Sequence, residues 1–406
     1  MLTPAQTFEI AKLQDPNQGR MSMDRRSFVK GATAACILAA SADSVTMGQT
    51  QGQAGSTQAS RSTIRWKGFN LQWQQRKTDP STKPAYEESD FQNMSNWGFT
   101  FARLPLSYWI WGKPTDWTYI DPEPLKRLDR AVDLGRQWNI HINLNFHRIP
   151  GYCINGRELE PADLFTGRAA ERDRALQAAV YHWRYFAKRF KSVSSRNLSF
   201  DLINEPPKMR SYEGAFQERY VEIVQALVKA IREEDSDRMI FADGINIGQS
   251  PVIELADLNL IQSTRGYQPK AVSHYTATWV PKDEFETFKT PTWPLTDDKG
   301  VVWDRAKLKQ EYIDKYKPLT DRNVLVHVGE WGCYNKTPHE VALAWMRDCI
   351  SCWNQAGWGW ALWNLRGDFG VMDSGRADVA YEDYQGHKLD RQMLELLREP
   401  PKETTA

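Results

Sequence analysis

Residues 198–206 read LSFDLINEP, a short apolar segment that ends on an amide, a carboxylate and a proline. Residues 324–331, VLVHVGEW, repeat this design and reach a second carboxylate. Apolar runs of this length, bounded by turn residues, are typical of buried strands. A carboxylate directly after such a strand costs several kcal/mol when it is buried, unless it is paired or used. The two segments therefore predict two strands of one parallel sheet, which deliver Glu205 and Glu330 to the same edge.

Similar segments recur along the chain and alternate with amphipathic helical patterns. The predicted strands cover residues 66–71, 100–104, 141–146, 198–203, 239–243, 271–274, 324–329 and 359–363. The predicted helices cover residues 87–97, 124–138, 174–190, 215–234, 305–315, 338–355 and 388–398, and the shortest connection lies near residues 253–258. This alternation predicts an α/β fold, a (β/α)8 TIM barrel in one domain. No G-x-G-x-x-G or G-x-x-x-x-G-K-[ST] motif follows a strand, which disfavours an open nucleotide-binding sheet.

The composition narrows the class of protein. Among 406 residues, 52 Lys and Arg balance 51 Asp and Glu, so the net charge is +1 and a dedicated nucleic-acid binder is disfavoured. Hydrophobic residues make up 41% of the chain, enough for a large core. The chain also has 17 Trp and 15 Tyr. These side chains are ordinary core material, but they also suit flat ligands with apolar faces and polar edges, such as sugars.

The N-terminal residues have the pattern of an export signal. Arg25 and Arg26 precede an apolar stretch, residues 31–40, which is shorter than the about 20 residues that span a bilayer. Residues 40–42, Ala-Ser-Ala, supply a small-x-small cleavage pattern. This order resembles a twin-arginine signal and predicts an exported, periplasmic or extracellular protein. A lipid anchor at Cys36 and a surface basic pair before a short core helix are the weaker alternatives.

The predicted domains follow from this signal. They are an N-terminal extension and signal peptide over residues 1–42, a flexible linker rich in Ser, Gln, Thr, Ala and Gly over residues 43–62, and the barrel over residues 63–406. After cleavage we expect a monomer that has no membrane segment and binds no nucleic acid.

Four cysteines lie beyond the signal. Cys349 and Cys352 form a C-x-x-C on a helical pattern, and no second pair follows at zinc-ribbon spacing. We therefore interpret these two residues as buried or incidental thiols, and with Cys153 and Cys333 they are too few for a disulfide scaffold. The sequence predicts no metal site and no cofactor.

The residues at the predicted strand ends form a known set. In chain order they are Arg103-Leu104-Pro105, His147, Asn204-Glu205-Pro206, Glu330-Trp331 and Trp363. With this set the sequence resembles glycoside hydrolase family 5, the cellulase-type retaining hydrolases. The resemblance covers about residues 64–398. Asn-Glu-Pro alone is a weak signal, but the whole set in this order is a strong one. Two carboxylates that flank a scissile bond are what glycoside hydrolysis requires.

The resemblance implies a role for each of these positions. Glu205 would be the acid/base and Glu330 the nucleophile, with the two carboxyl groups about 5 to 5.5 Å apart. The other implied roles are that Arg103 orients Glu330, Asn204 holds the sugar 2-hydroxyl, His147 and His274 line the site, and Trp363 forms a platform under the sugar ring.

The sixth strand departs from the family pattern. The family usually has a His and a Tyr separated by one residue there, whereas residues 273–276 read Ser-His-Tyr-Thr. Adjacent strand residues point to opposite faces, so His274 and Tyr275 reach one site only through a bulge or beyond the strand end. Tyr267 and Trp279 are the alternatives to Tyr275. Loop aromatics around residues 108–117 and 279–303 are expected to form further sugar subsites, with about half of them in the core.

The function implied by these residues is hydrolysis of a β-linked glycan with retention. An endo-β-1,4-glucanase is the leading expectation, and a polysaccharide or oligosaccharide is the partner. The alternatives are a β-mannanase, an exo-β-glucosidase, a β-1,3-glucanase, a transglycosylase with the same mechanism, or a non-catalytic carbohydrate-binding barrel. A binding protein needs no pair of positioned carboxylates, which argues against the last of these.

Overall fold

A closed barrel of parallel strands forms the centre of the protein. The computed structural model describes residues 65–72, 86–207, 213–280 and 289–398. The barrel strands are β1 Lys67–Asn70, β2 Phe101–Ser107, β3 His141–Arg148, β4 Leu198–Asp201, β5 Met239–Asp243, β6 Ile261–Gly266, β7 Val326–Trp331 and β8 Gly359–Leu362. Neighbours in the sequence pair around the ring, and β8 pairs with β1 to close it. This order confirms the predicted (β/α)8 TIM barrel.

Helices connect the strands. They are α1 Glu88–Asn96, α2 Lys126–Gln137, α3 Ala169–Arg189, α4 Glu213–Glu234, α5 Arg305–Lys309, α6 Lys315–Thr320, α7 His339–Ala356 and α8 Arg391–Arg398. A π-helical turn, Gln310–Asp314, joins α5 to α6. The connection from β5 to β6 has only short turns, including the 3-10 helix Ile253–Leu258, as the sequence predicts. Two small hairpins, Leu295–Thr296 with Val302–Trp303 and Glu382–Tyr384 with His387–Leu389, lie outside the barrel sheet.

Side chains along β3 point alternately to the helices outside the barrel and to the barrel interior. Phe146 faces outward and stacks on Trp183 of α3, with ring centroids 3.9 Å apart. His141 belongs to the opposite set and stacks on Trp66 in the barrel interior. Because side chains alternate along a strand, the same two-residue period that buries Phe146 turns Asn145 and His147 toward the barrel axis.

Aromatic side chains fill one end of the barrel. Phe101, Phe241 and Ile261 cluster there, with Trp66 against them. His141 and His327 belong to the same cluster, and the His327 ring lies 4.7 Å from that of Phe101. Burial lowers the pKa of both histidines to about 3, so both rings are neutral at ordinary pH. They are core residues.

The predicted sixth strand is wrong. Residues 271–274 lie at a helical turn, Lys270–Ser273, and the strand is β6, ten residues earlier in the chain, which pairs with β5 and β7. The sequence of β6 is IQSTRG, and all six residues are buried. Its polar side chains find buried partners, as when Gln262 bonds the backbone of Val252. Polar residues that are satisfied in this way leave no apolar pattern for sequence analysis to detect.

The cysteine predictions agree with the structure, whereas the N-terminal predictions lie outside the described residues. Cys153, Cys333, Cys349 and Cys352 are all buried free thiols, and burial raises the pKa of each. The export signal with Cys36 and the whole of the predicted linker fall in the part of the chain that the structure does not describe. Among the described helices, none has the length and apolar character to cross a bilayer.

Candidate active site

Glu205 and Glu330 meet at the carboxyl end of the barrel. Glu330 is the last residue but one of β7 and is 3% exposed. Glu205 follows β4 in the loop toward α4, with a side chain that is 14% exposed. Both carboxylates contact one guanidinium, that of Arg265, at 3.0 Å and 3.3 Å. The two predicted strand-end glutamates are therefore neighbours at one site.

Glu330 accepts hydrogen bonds on both oxygens. Arg103 Nη1 donates to Oε1 at 2.6 Å, and the Tyr267 hydroxyl donates to Oε2 at 3.3 Å. Burial, with Glu330 beside it, raises the pKa of Tyr267 well above its ordinary value, so the phenol keeps its proton and remains a donor. A cation and a hydroxyl thus offset the cost of burying this charge and fix its orientation.

Arg103 is itself held by other barrel strands. Its Nε donates to Asp201 of β4 at 2.8 Å, and its Nη1 donates to Asn70 of β1 at 3.1 Å. Burial raises the pKa of Asp201 to about 6, although Arg103 opposes the shift. These partners place the guanidinium of Arg103 under Glu330, as the family resemblance implies.

Arg265 is the site residue that the sequence analysis missed. It is the last residue but one of β6, and its Nη1 and Nη2 donate to the two oxygens of Asp243 at the end of β5. Arg265 and Tyr267 are separated by one residue, the spacing that the family pattern has for His and Tyr. This spacing is the signal in the sequence that points to the pair, and a sixth strand placed at residues 271–274 hides it.

Glu205 has an environment unlike that of Glu330. Burial raises its pKa to about 7, the negative charge of Glu330 contributes in the same direction, and Arg265 opposes both. Its backbone has φ 49°, a left-handed conformation that is strained for a residue with a Cβ. Two bonds hold that conformation: the Glu205 N–H donates to Asp243 at 2.8 Å, and the Tyr152 hydroxyl donates to the Glu205 carbonyl at 2.5 Å.

The side-chain amide of Asn204 uses its oxygen in hydrogen bonds and leaves its nitrogen available as a donor. Its Oδ1 accepts from Arg103 Nη2 and from Arg265 Nη2, both at 2.9 Å. Because two guanidinium groups can only donate, these bonds define which amide atom is the oxygen. Its buried Nδ2 has no hydrogen-bond partner within the described residues. Asn204 therefore presents a fixed donor toward the site.

His147 and Trp363 stack beside one another. Their ring centroids are 5.8 Å apart, with an angle of 18° between the planes. His147 ends the inward face of β3 and is buried, and burial, with Arg103 nearby, lowers its pKa well below the ordinary value. Trp363 directly follows β8, and its backbone N–H donates to the backbone carbonyl of Trp331 at 2.7 Å. Both residues lie where the sequence predicts.

The tyrosine of the site is Tyr267. The expectation that Tyr275 approaches Glu330 is wrong, because the Tyr275 hydroxyl meets Thr290 Oγ1 at 3.5 Å instead. His274 follows a helical turn and lies edge-on to Tyr267, with ring centroids 4.8 Å apart. It reaches the site by contact with Tyr267 and not from a strand end.

Trp279 is an exposed aromatic residue near this wall. Its side chain is 54% exposed and lies edge-on to Tyr334, with ring centroids 4.8 Å apart. Phe369 packs between Trp279, Tyr334 and the Tyr267–His274 pair. The result is an aromatic surface that extends from Glu330 to Trp279.

Other loop aromatics divide between core and surface. Trp111 and Trp117 are buried, and their indole N–H groups donate to His182 and to Tyr108. Trp109 is partly buried, and the Arg148 guanidinium lies 3.9 Å from its ring centroid. Trp111 and Trp117 therefore belong to the part of this set that anchors loops.

Curated relatives of the chain include an endoglucanase and a cellodextrinase. Residues 57–368 match the family model described as cellulase (glycosyl hydrolase family 5). Endoglucanase C of Acetivibrio thermocellus is 25% identical over 320 residues, which cover 73% of this chain and 88% of the relative. Cellodextrinase A of Ruminococcus flavefaciens is 24% identical over 270 residues, which cover 64% of this chain and 73% of the relative.

Solved structures share the barrel. A crystal structure described as that of a glycoside hydrolase is 38% identical with a TM-score of 0.76, and the match covers 84% of this chain and 100% of the other. The endoglucanase Cel5A of Thermotoga maritima has a TM-score of 0.65 at 20% identity over 83% of this chain and 98% of the other, a likeness of fold. With a family match over most of its length and the paired glutamates at its barrel mouth, the chain belongs to glycosyl hydrolase family 5, a family of retaining enzymes, and is a glycoside hydrolase.

Proposed function

We propose that this glycoside hydrolase cleaves a β-1,4-glucan internally by double displacement, with Glu330 as nucleophile and Glu205 as acid/base. The observation that carries the assignment is the contrast between the two carboxylates. Glu330 faces Arg103 and the Tyr267 hydroxyl, whereas burial and Glu330 raise the pKa of Glu205 to about 7. A nucleophile must be ionised, and an acid must hold its proton near neutral pH.

The first step forms a covalent intermediate. A carboxylate oxygen of Glu330 attacks the anomeric carbon, and Glu205 transfers its proton to the glycosidic oxygen, which leaves as an alcohol. In the second step a water molecule attacks the anomeric carbon and gives its proton to Glu205. The bond to Glu330 breaks as the water attacks, and the electron pair of that bond restores the carboxylate.

Neighbouring residues support this assignment. The Asn204 Nδ2 donor, fixed by two guanidinium groups, suits the sugar 2-hydroxyl, whose hydrogen bond strengthens in the transition state. The Trp363 indole, stacked with His147, offers a flat apolar face of the kind that binds a sugar ring. The exposed Trp279 offers a flat apolar face to a further sugar unit beyond this subsite.

The names of the relatives support a glucan as the substrate, since one is an endoglucanase and another a cellodextrinase. The test is hydrolysis of a panel of β-1,4-glucan, β-mannan, xylan, β-1,3-glucan and aryl β-glycosides, with product anomers followed by NMR. We expect retained products from β-1,4-glucan, with internal cleavage that lowers solution viscosity early. Glu330→Gln is the control.

Each other outcome of the panel corrects a different part of the proposal. Turnover on mannan or β-1,3-glucan alone would replace the substrate but keep the mechanism. Transfer products in place of free sugars would indicate a transglycosylase. Inverted products would contradict the double displacement.

We also propose that the barrel domain, residues 63–406, is exported through the twin-arginine route. Arg25 and Arg26, the apolar stretch that follows them and the Ala-Ser-Ala sequence at residues 40–42 support it. Replacing both arginines by lysine should retain the precursor in the cytoplasm of a bacterial host. Processing and export of that variant equal to those of the parent would contradict the route.

A further inference from the structure

Arg265 is buried between the two carboxylates of the site and is 1% exposed. Its Nε donates to Glu205 Oε1 at 3.0 Å, and its Nη2 lies 3.3 Å from Glu330 Oε1. The structure therefore gives the acid/base a cation of its own, in addition to Arg103, which binds Glu330 but not Glu205.

Three neighbouring side chains hold the guanidinium of Arg265 in place. Asp243 binds it through both carboxylate oxygens, and Ser263 and Asn204 accept further bonds at 3.2 Å and 2.9 Å. The backbone also leaves room for it, because a Cβ added to Gly329 would lie 3.0 Å from Nη1. A cation so confined cannot follow changes in charge around it, so its effect on Glu205 persists through the reaction.

Charged and titratable groups face Glu205 from several elements. They are Arg265 from β6, Asp243 from β5, Glu330 from β7, Tyr267 just after β6, and Tyr152 and Cys153 after β3. Of these, Glu330 changes its charge during catalysis, because the covalent intermediate turns its carboxylate into a neutral ester. Glu205 then loses the negative neighbour that favours its protonated form and keeps the positive one.

We propose that Arg265, clamped by Asp243, is a positioning residue that drives Glu205 to its ionised form once Glu330 carries the sugar, and so prepares Glu205 to accept the proton of the attacking water. The inference rests on the proposed roles of Glu205 and Glu330. In the free enzyme the charge of Glu330 offsets Arg265, and Glu205 keeps the proton that the first step transfers. Glu205 is therefore protonated in the first step and ionised in the second, although Arg265 stays in the same place.

The test compares Arg265→Gln with the parent on 2,4-dinitrophenyl β-cellobioside. This leaving group needs no proton, so kcat reports the second step, in which Glu205 must be ionised. An opposite charge within hydrogen-bond distance lowers a carboxyl pKa by about 1 to 3 units. The acid limb of the kcat–pH profile should therefore move up by about one pH unit or more in the variant, with slower turnover at acidic pH.

Matched variants separate charge from structure. Arg265→Lys retains the charge and should keep most of the acid limb in place. The pair Arg265→Gln with Asp243→Asn removes both members of that ion pair, so neither is left buried alone, and it serves if the single variant fails to fold. Because Asp243 opposes Arg265 at Glu205, the limb should move in the same direction as in the single variant but by less. An acid limb unmoved in the folded variants would overturn the inference.

A second measurement needs no turnover. With 13C-labelled glutamate, the titration of the Glu205 carboxyl can be followed by NMR and assigned by its loss in Glu205→Gln. It should move to higher pH in Arg265→Gln and in the double variant but stay close to the parent value in Arg265→Lys, and an unchanged titration in Arg265→Gln would overturn the inference. If the parent cleaves neither the aryl cellobioside nor any glycan, the proposed function fails, while this titration still decides the effect of Arg265.

Discussion

Glu205 and Glu330 are the same residue type in opposite settings. Glu330 accepts bonds from a guanidinium and a phenol, whereas Glu205 has a strained backbone, a pKa raised to about 7 and one contact with Arg265. The difference arises from partners on β2 and β6 and in the segment just after β6, none of them adjacent to either glutamate in the sequence. At the scale of single residues, position in the barrel decides chemistry more than residue type does.

Azide distinguishes the two carboxylates. Glu330→Gly and Glu205→Gly should each lower turnover by several orders of magnitude, because each removes a group that bonds to reacting atoms. With an activated aryl glycoside and azide, Glu330→Gly should release the inverted glycosyl azide and Glu205→Gly the retained one. The reverse pattern, read by NMR of the azide products, would exchange the two assignments.

The charge of Glu330 should be measurable at Glu205. Replacing Glu330 by Gln removes the negative neighbour that raises the pKa of Glu205, so that pKa should fall below about 7. The 13C titration of labelled glutamate reports the change directly. Asp173→Asn, an exposed surface change, is the control and should leave the Glu205 titration where it is.

Single elements carry residues for both layers of the barrel. Strand β3 presents Phe146 to α3 and His147 to the site, and β6 presents Arg265 to the site with almost no apolar side chains. The two strands show two ways to bury an element, by packing apolar surface or by satisfying polar groups. Packing of apolar surface leaves an apolar pattern in the sequence, whereas satisfied polar groups leave none.

The packing of β3 on α3 should dominate local stability. Phe146 is fully buried against Trp183, Phe186 and Trp111. Phe146→Ala should lower the free energy of unfolding by about 3 to 5 kcal/mol, since it leaves a cavity. Tyr181→Ala, on the exposed face of α3, should change it by less than about 0.5 kcal/mol. Urea denaturation of both variants checks the difference, and equal losses would contradict this packing.

Across the whole barrel, burial shifts the pKa values of titratable groups in both directions. Burial lowers the pKa of His141 and His327 to about 3 and that of His182 to about 4, and it lowers that of His147 as well. Asp201 and Glu205 shift the other way, to about 6 and about 7. The histidines are more numerous, so they set the sign of the pH dependence of stability.

Stability should rise with pH between about 4 and 6.5. In that window the unfolded chain binds protons on histidines that stay neutral in the folded state, so acid favours unfolding. The two carboxyls bind protons in the folded state and reduce the slope without reversing it. Urea midpoints at a series of pH values measure the slope, and replacing His141 and His327 by Gln should flatten it. A slope of the opposite sign would contradict the neutral burial of these histidines.

By itself the sequence determined the barrel, the two glutamates and most of their neighbours, because strand periodicity and residues at strand ends are local properties of the chain. Arg103, His147, Asn204 and Trp363 lie at the site for that reason. Only the tertiary structure decided the sixth strand, the role of Tyr267 and the place of Arg265. Their partners are residues far apart in the sequence, as for Arg265 with Glu205 and Tyr267 with Glu330, and the spacing of Arg265 and Tyr267 indicates a pair of site residues without showing which side chains they bond.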